Sequence, residues 1–279
     1  MFYQSTFLVF ALALLNPVSN SSLHFASAGG DKCTYISGKK MFLHVEGSGS
    51  PTVVFVSALG EDHTNWKDVQ EAVSGFATTM SYDRSGLGIS EYNPAAKKDA
   101  ASMAQELHNL VLDQKIKTPF VLVSHSLGCD VARVYAAKYP QQVSGMVYVD
   151  PPPNPDQLKA EAGDSLWNER EKAIKQYTPP MNKAQQGEYD LQVASFQEAD
   201  KATKQPTVPT IMLTATLTYP DFPASALELK VKKESHAKWV RQAKGAEQQF
   251  VPESRHYIQN DAPQIVIKAI ERVVSKVRR

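Results

Sequence analysis

The sequence predicts an α/β fold with a mostly parallel sheet. Three observations carry this: strand-like and helix-like segments alternate along the chain, the connections between them are short, and the run "TVVFVS" at 52–57 is continuously apolar. Such a run suits a strand covered on both faces, which is how parallel sheets are built.

The elements follow in order. "KKMFLHVEG" (39–47) sets Met41, Leu43 and Val45 against polar neighbours, the alternation of a half-buried strand. After the 52–57 strand, Trp66, Val69 and Val73 recur at helical spacing. Residues 76–83 read as a strand. Residues 99–115 place Met103, Leu107, Leu110 and Val111 on one face of a helix. "FVLVS" (120–124) is a strand, 127–140 a helix stopped near Pro140, and "VSGMVYVD" (143–150) a strand again. The rhythm breaks at "PPPNPDQ" (151–157), and the chain stays polar and helix-prone to about residue 205. It resumes with a strand at 208–215, a helix around 234–244, a strand at 246–252 and an amphipathic helix at 262–277. Residues 151–205 therefore read as an insertion over the sheet, and insertions at the carboxyl ends of strands shape binding sites.

Composition narrows the function classes. The 279 residues carry 30 Lys and Arg against 29 Asp and Glu, without a basic stripe, which argues against a nucleic-acid partner. The apolar run Thr6–Leu15 is too short to span a bilayer but fits the core of an export signal, and Ala26-Ser27-Ala28 fits a small-residue cleavage site. The expectation is a leader over 1–28, an exported (periplasmic or secreted) domain over 29–279, and no stable membrane span after processing. Residues 1–28 lack Lys and Arg, so only the α-amino group charges the leader's start. Cys33 and Cys129 read as two free thiols, Cys129 filling core space. The Cys and His spacing of a zinc site is missing, so the reading includes neither metal nor cofactor. The oligomeric state is not encoded in any pattern found.

The stretch "VLVSHSLGCD" (121–130) carries the chemistry. A strand feeding a helix through a tight turn strains the residue at the apex and admits only small flanking residues. Ser126 is that apex. Ser124 stands two before it, where Gly is usual, and Gly128 two after. Ser124 is the packing residue, and His125 points away at such a turn and is not the base.

With these flanks the chain resembles the α/β-hydrolase fold family over nearly all of 39–277. "SYDRSGLGISE" (81–91) is similar to the Asp-Arg-x-Gly-x-Gly-x-Ser loop of its esterase-like and peptidase-like branches. The resemblance implies a central sheet flanked by helices, with a helical cap at 151–205 after the family's sixth strand. It also implies the chain order nucleophile, acid, histidine. His256, after the last strand, fits the base. His63, near the expected site mouth, reads as a pocket or loop residue. The oxyanion hole needs two backbone N–H groups, one from Leu127 and one from the turn after the first core strand, where Leu59 holds the matching place. Asp83 and Arg84 read as a structural network. Trp167, Tyr177, Met181, Tyr189 and Phe196 are candidate pocket walls or cap core.

The acid stays open between two residues. Relatives often carry it after the seventh strand, where this chain has Thr218, with Asp221 three residues on. Asp150, at the carboxyl end of the sixth strand, is the alternative and is favoured on motif position. The function expected is a serine hydrolase that cleaves an ester of a small or medium organic substrate through an acyl-enzyme. Amide or peptide cleavage, acyl transfer on the same triad, and a non-catalytic ligand-binding protein on this scaffold are the competing readings.

Overall fold

Residues 30–279 are described by the computed structural model of the protein; the expected leader and its cleavage site lie outside the described residues. The elements are β1 (Gly30–Ile36), β2 (Lys39–Glu46), β3 (Thr52–Val56), α1 (Lys67–Ser74), β4 (Thr78–Tyr82), α2 (Ala100–Asp113), β5 (Phe120–His125), α3 (Leu127–Lys138), β6 (Val143–Val149), α4 (Pro155–Tyr177), α5 (Lys183–Lys201), β7 (Thr210–Ala215), α6 (Ser225–Gln242), β8 (Glu247–Val251), α7 (Ile258–Asp261) and α8 (Pro263–Val277). The strands form one sheet in the order β1-β2-β4-β3-β5-β6-β7-β8. β2 runs antiparallel to both its neighbours, and every pair from β4 to β8 is parallel. This is the α/β-hydrolase architecture that the motifs imply.

The pleat explains why the central strands read as unbroken apolar runs. Val54, Val56 and Leu122 point to the face covered by α2 and α3, where Met103, Leu107, Val131 and Tyr135 meet them. Val53, Phe55, Val121 and Val123 point to the opposite face, against Val69 and Val73 of α1 and Val266 and Ile270 of α8. Each such fully buried side chain contributes about 1.5–3 kcal/mol relative to exposure. With both faces covered, β3 and β5 need no polar alternation.

Besides the four-residue α7, which the sequence does not lead one to expect, β1 and α6 differ from the sequence expectation. β1 escapes the period-two reading because it is an edge strand with mostly exposed or half-buried residues. It joins β2 through Ser37 and Gly38, both at positive φ (51° and 74°), the geometry of a tight hairpin. The helix expected at 234–244 begins at Ser225, since 225–242 holds no Gly or Pro to stop it.

Between β6 and β7 the chain makes α4 and α5, both opened by asparagine caps. The Asn154 side chain accepts from the Gln157 N–H, and Asn182 forms a reciprocal capping box with Gln185. Gly163, at φ 68° and ψ 168°, breaks the helical path inside α4. α5 packs on α2 and α3, while α4 leans on α5 and α6.

Candidate active site

β5 ends at His125 and α3 begins at Leu127, so Ser126 alone makes the turn between them. Its φ of 51° and ψ of −124° are strained for a side chain with a Cβ. The turn survives because its surroundings fix it: the Ser126 N–H donates to the Val149 carbonyl at 3.2 Å, and Gly128 lies against β3. A Cβ on Gly128 would meet the Val56 and Ser57 carbonyl oxygens at 2.4 and 2.7 Å. Ser124 is buried, and its hydroxyl lies 3.4 Å from Cys129 Sγ, which in turn bonds the Ser124 carbonyl. Both cysteines are free thiols, Cys33 exposed and Cys129 buried.

His256 lies in the loop between β8 and α7. Its Nε2 accepts from the Ser126 hydroxyl at 2.9 Å, and its Nδ1–H donates to Asp150 Oδ2 at 2.8 Å. Asp150 follows β6 directly and is fully buried. Its Oδ1 accepts the Ala215 N–H at 2.9 Å, and its Oδ2 also accepts from Lys232 Nζ at 3.0 Å. Burial pushes this carboxyl upward, but the Lys232 charge and the His256 bond outweigh it and hold the group well below the ordinary carboxylate range. Asp221 lies in an exposed turn before α6, and Asp150 holds the bond to His256. The structure thus brings together Ser126, His256 and Asp150.

His125 turns away from Ser126 and supports His256 from beneath. Its Nε2–H donates to the His256 carbonyl at 3.0 Å, and its Nδ1 accepts from the Gln259 amide at 3.0 Å. Burial pushes its pKa down, so the ring is neutral, which suits this tautomer. His63 lies elsewhere than the expected site mouth. Asp83 Oδ1 accepts from both its backbone N–H and its Nδ1 at 2.8 Å, and the ring lines a separate cleft of about 200 Å³ with His44. That bond turns the ring toward the β2–β4 side of the sheet. Asp62, His63 and Asp83 bring three potential metal-ligand atoms within 4.8 Å of one another. The Asp83 carboxylate is already committed there, since it also accepts the Ile89 N–H at 2.9 Å.

Leu59 and Leu127 line the main cavity beside Ser126, Leu127 as the first residue of α3. The positive end of the helix thus faces the Ser126 hydroxyl. The Leu59 loop is held by Arg84, which donates to the Ser57 and Ala58 carbonyls at 2.6 Å each. Arg84 also forms a buried ion pair with Glu188 of α5 (Nε to Oε1 2.7 Å), and Glu188 accepts the Gly60 N–H at 2.7 Å. Glu188 carries no signal of its own in the sequence, being one of four acids on the polar helix α5. Removing one partner of such a pair costs about 3–5 kcal/mol.

Above Ser126 opens a cavity of about 480 Å³. Its walls include Pro151, Leu158, Trp167, Tyr189, Phe196 and Phe222, with Lys232 and Asp130 among the polar residues. Tyr177 and Met181, read from the sequence as either pocket walls or cap core, are not among its lining residues. The volume suits a small or medium organic molecule. No described helix is long and apolar enough to cross a membrane.

Asp130, in the first turn of α3, is fully buried, and neither of its carboxyl oxygens has a hydrogen-bond partner among the described residues. Burial, with Glu198 adding to it and Arg133 opposing, raises its pKa well above the ordinary value. A group that holds its proton more tightly when folded loses stability as pH rises above its unfolded pKa. Asp130→Asn is therefore expected to raise the melting temperature at pH 7 by about 2–4 °C, corresponding to roughly 1 kcal/mol. The gain should vanish below pH 4. Thermal melts of both proteins across pH check this.

With this geometry in view, comparison with known proteins places the chain. A family model described as alpha/beta hydrolase fold matches residues 51–222. The chain belongs to that family. Over 108 residues it is 32% identical to the uncharacterized protein YqjL of Bacillus subtilis, covering 39% of this chain and 42% of that protein. The chain spans less than half the length of the curated relatives it matches first. Two solved structures share the fold over 88% of this chain and 99% of their own: the epoxide hydrolase CorEH (TM-score 0.66, 19% identity) and E-2-(acetamidomethylene)succinate hydrolase (TM-score 0.65, 21% identity).

Proposed function

We propose that the protein is a serine hydrolase that cleaves a carboxylic ester of a small or medium organic substrate. The observation that carries this reading is the hydrogen-bonded line Ser126–His256–Asp150 at the foot of the 480 Å³ cavity. The Ser126 hydroxyl gives its proton to His256 Nε2 as Oγ attacks the ester carbonyl. The carbonyl π electrons move onto oxygen, where the Leu59 and Leu127 N–H groups stabilise the charge. Collapse expels the alcohol, which takes the proton from His256 and leaves an acyl group on Ser126. Water, deprotonated by His256, then releases the acid and restores the hydroxyl. Asp150 stays ionised throughout, holding the proton on Nδ1 and offsetting the imidazolium charge.

The helices α4 and α5 act as the cap that walls the substrate on its far side, and residues 1–28 direct export. The apolar Leu158, Trp167 and Phe196 walls favour an uncharged acyl group. A series of p-nitrophenyl esters from acetate to octanoate, beside the matching anilides, tests the reading. Saturable ester hydrolysis with a maximum at one chain length supports it. Faster cleavage of the anilides, or hydrolysis of neither, contradicts it.

A further inference from the structure

We infer that Lys232, on α6, is a positioning residue that sets the basicity of His256 by sharing the carboxylate that orients it. The inference rests on the serine-hydrolase reading and adds to it a second charge on the carboxylate that orients the base. Lys232 Nζ and His256 Nδ1 meet the same oxygen, Asp150 Oδ2, at 3.0 and 2.8 Å. The ammonium group therefore sits within 5.8 Å of the imidazole, as the sum of those two bonds allows. Its side chain is only 13% exposed, so little water intervenes.

Helix α6 is anchored to deliver this contact. His236, one turn after Lys232 on the same face, is fully buried. Its Nε2–H donates to the Pro151 carbonyl at 2.9 Å, and its Nδ1 accepts from the Thr214 hydroxyl at 2.8 Å. Burial pushes its pKa down to about 4, so it adds no charge at neutral pH. It pins α6 to the ends of β6 and β7, which leaves Lys232 over Asp150.

The groups facing His256 come from every element around it. β5 gives His125, neutral and bonded to the His256 carbonyl; β6 gives Asp150; α6 gives Lys232 and His236. Tyr257 packs edge-on against the ring and holds its proton far above neutrality through burial and Glu61. The Glu61 carboxylate lies 3.8 Å from His125, on the far side of that ring. Among these, Asp150 and Lys232 bring charges of opposite sign to the imidazole, both through Asp150 Oδ2. Two cations at this range repel, so removing the Lys232 charge removes an opposition to protonating the base.

The test is the pH profile of kcat/KM for p-nitrophenyl ester hydrolysis with Lys232→Met, which keeps the stem and removes the charge. The acid-side midpoint is expected to move up by about one pH unit. Lys232→Arg should return it to the wild-type position. Lys232→Gln serves if the methionine variant melts early. In parallel, the His256 imidazole is titrated by NMR in Ser126→Ala, with and without Lys232→Met. The same upward shift is expected there without any turnover. If no ester is hydrolysed but the NMR titration shifts, the Lys232 role stands and the esterase reading falls. A midpoint that stays fixed or moves down in a folded Lys232→Met overturns the inference.

Discussion

Ser126→Ala is expected to lower ester turnover by about 10⁴- to 10⁶-fold while leaving the fold intact. In the proposed mechanism Ser126 Oγ is the atom that carries the acyl group, and the substitution removes it. The residual rate comes from the oxyanion donors and from substrate binding, which need no hydroxyl. Alanine should fit, since the strained turn is held by the Val149 carbonyl and by Gly128 packed on β3, neither of which involves the serine side chain. Ser124→Ala is the companion. That hydroxyl faces Cys129 in the core, so its loss should change stability slightly and turnover little. Steady-state kinetics on both variants, each with a thermal melt, check the contrast.

Asp150→Asn is expected to cut turnover by about 10³- to 10⁴-fold, and Asp221→Asn to do little. The asparagine can keep its bond to the Ala215 N–H through its carbonyl oxygen. Its amide then faces His256 Nδ1 with a donor, so the histidine must place its own proton on Nε2. In that tautomer Nε2 cannot take the Ser126 proton. The variant also leaves Lys232 without its carboxylate partner, so a lower melting temperature is expected alongside the loss of rate. A large loss in Asp221→Asn with little in Asp150→Asn would assign the acid to the loop after β7.

How far the sequence discloses this arrangement depends on how local the determinant is. The corner at Ser126 is legible because its cause lies within a few residues: a buried strand, a helix and small flanking residues. The central strands are legible for the same reason, since burial on both faces writes itself as an unbroken apolar run. The choice between Asp150 and Asp221 is not local. It depends on where the β8–α7 loop carries His256 relative to two strand ends, and both acids stand beside proline. Lys232 and Glu188 are harder still. Each is one charge among many on a polar helix, and only the packing of α6 and α5 shows which charge is buried. β1 is hidden because an edge strand needs no apolar face, although the Ser37-Gly38 turn marks the hairpin.

The central claim, that Ser126 is a nucleophile activated by His256, is tested most directly by an active-site phosphonylating reagent. The protein is treated with a fluorophosphonate near neutral pH, digested, and the modified peptide sequenced by mass spectrometry. A single adduct on Ser126, absent in His256→Ala and in heat-unfolded protein, is the result expected. An unmodified Ser126 in folded protein, or an adduct on another residue at equal yield, would contradict it.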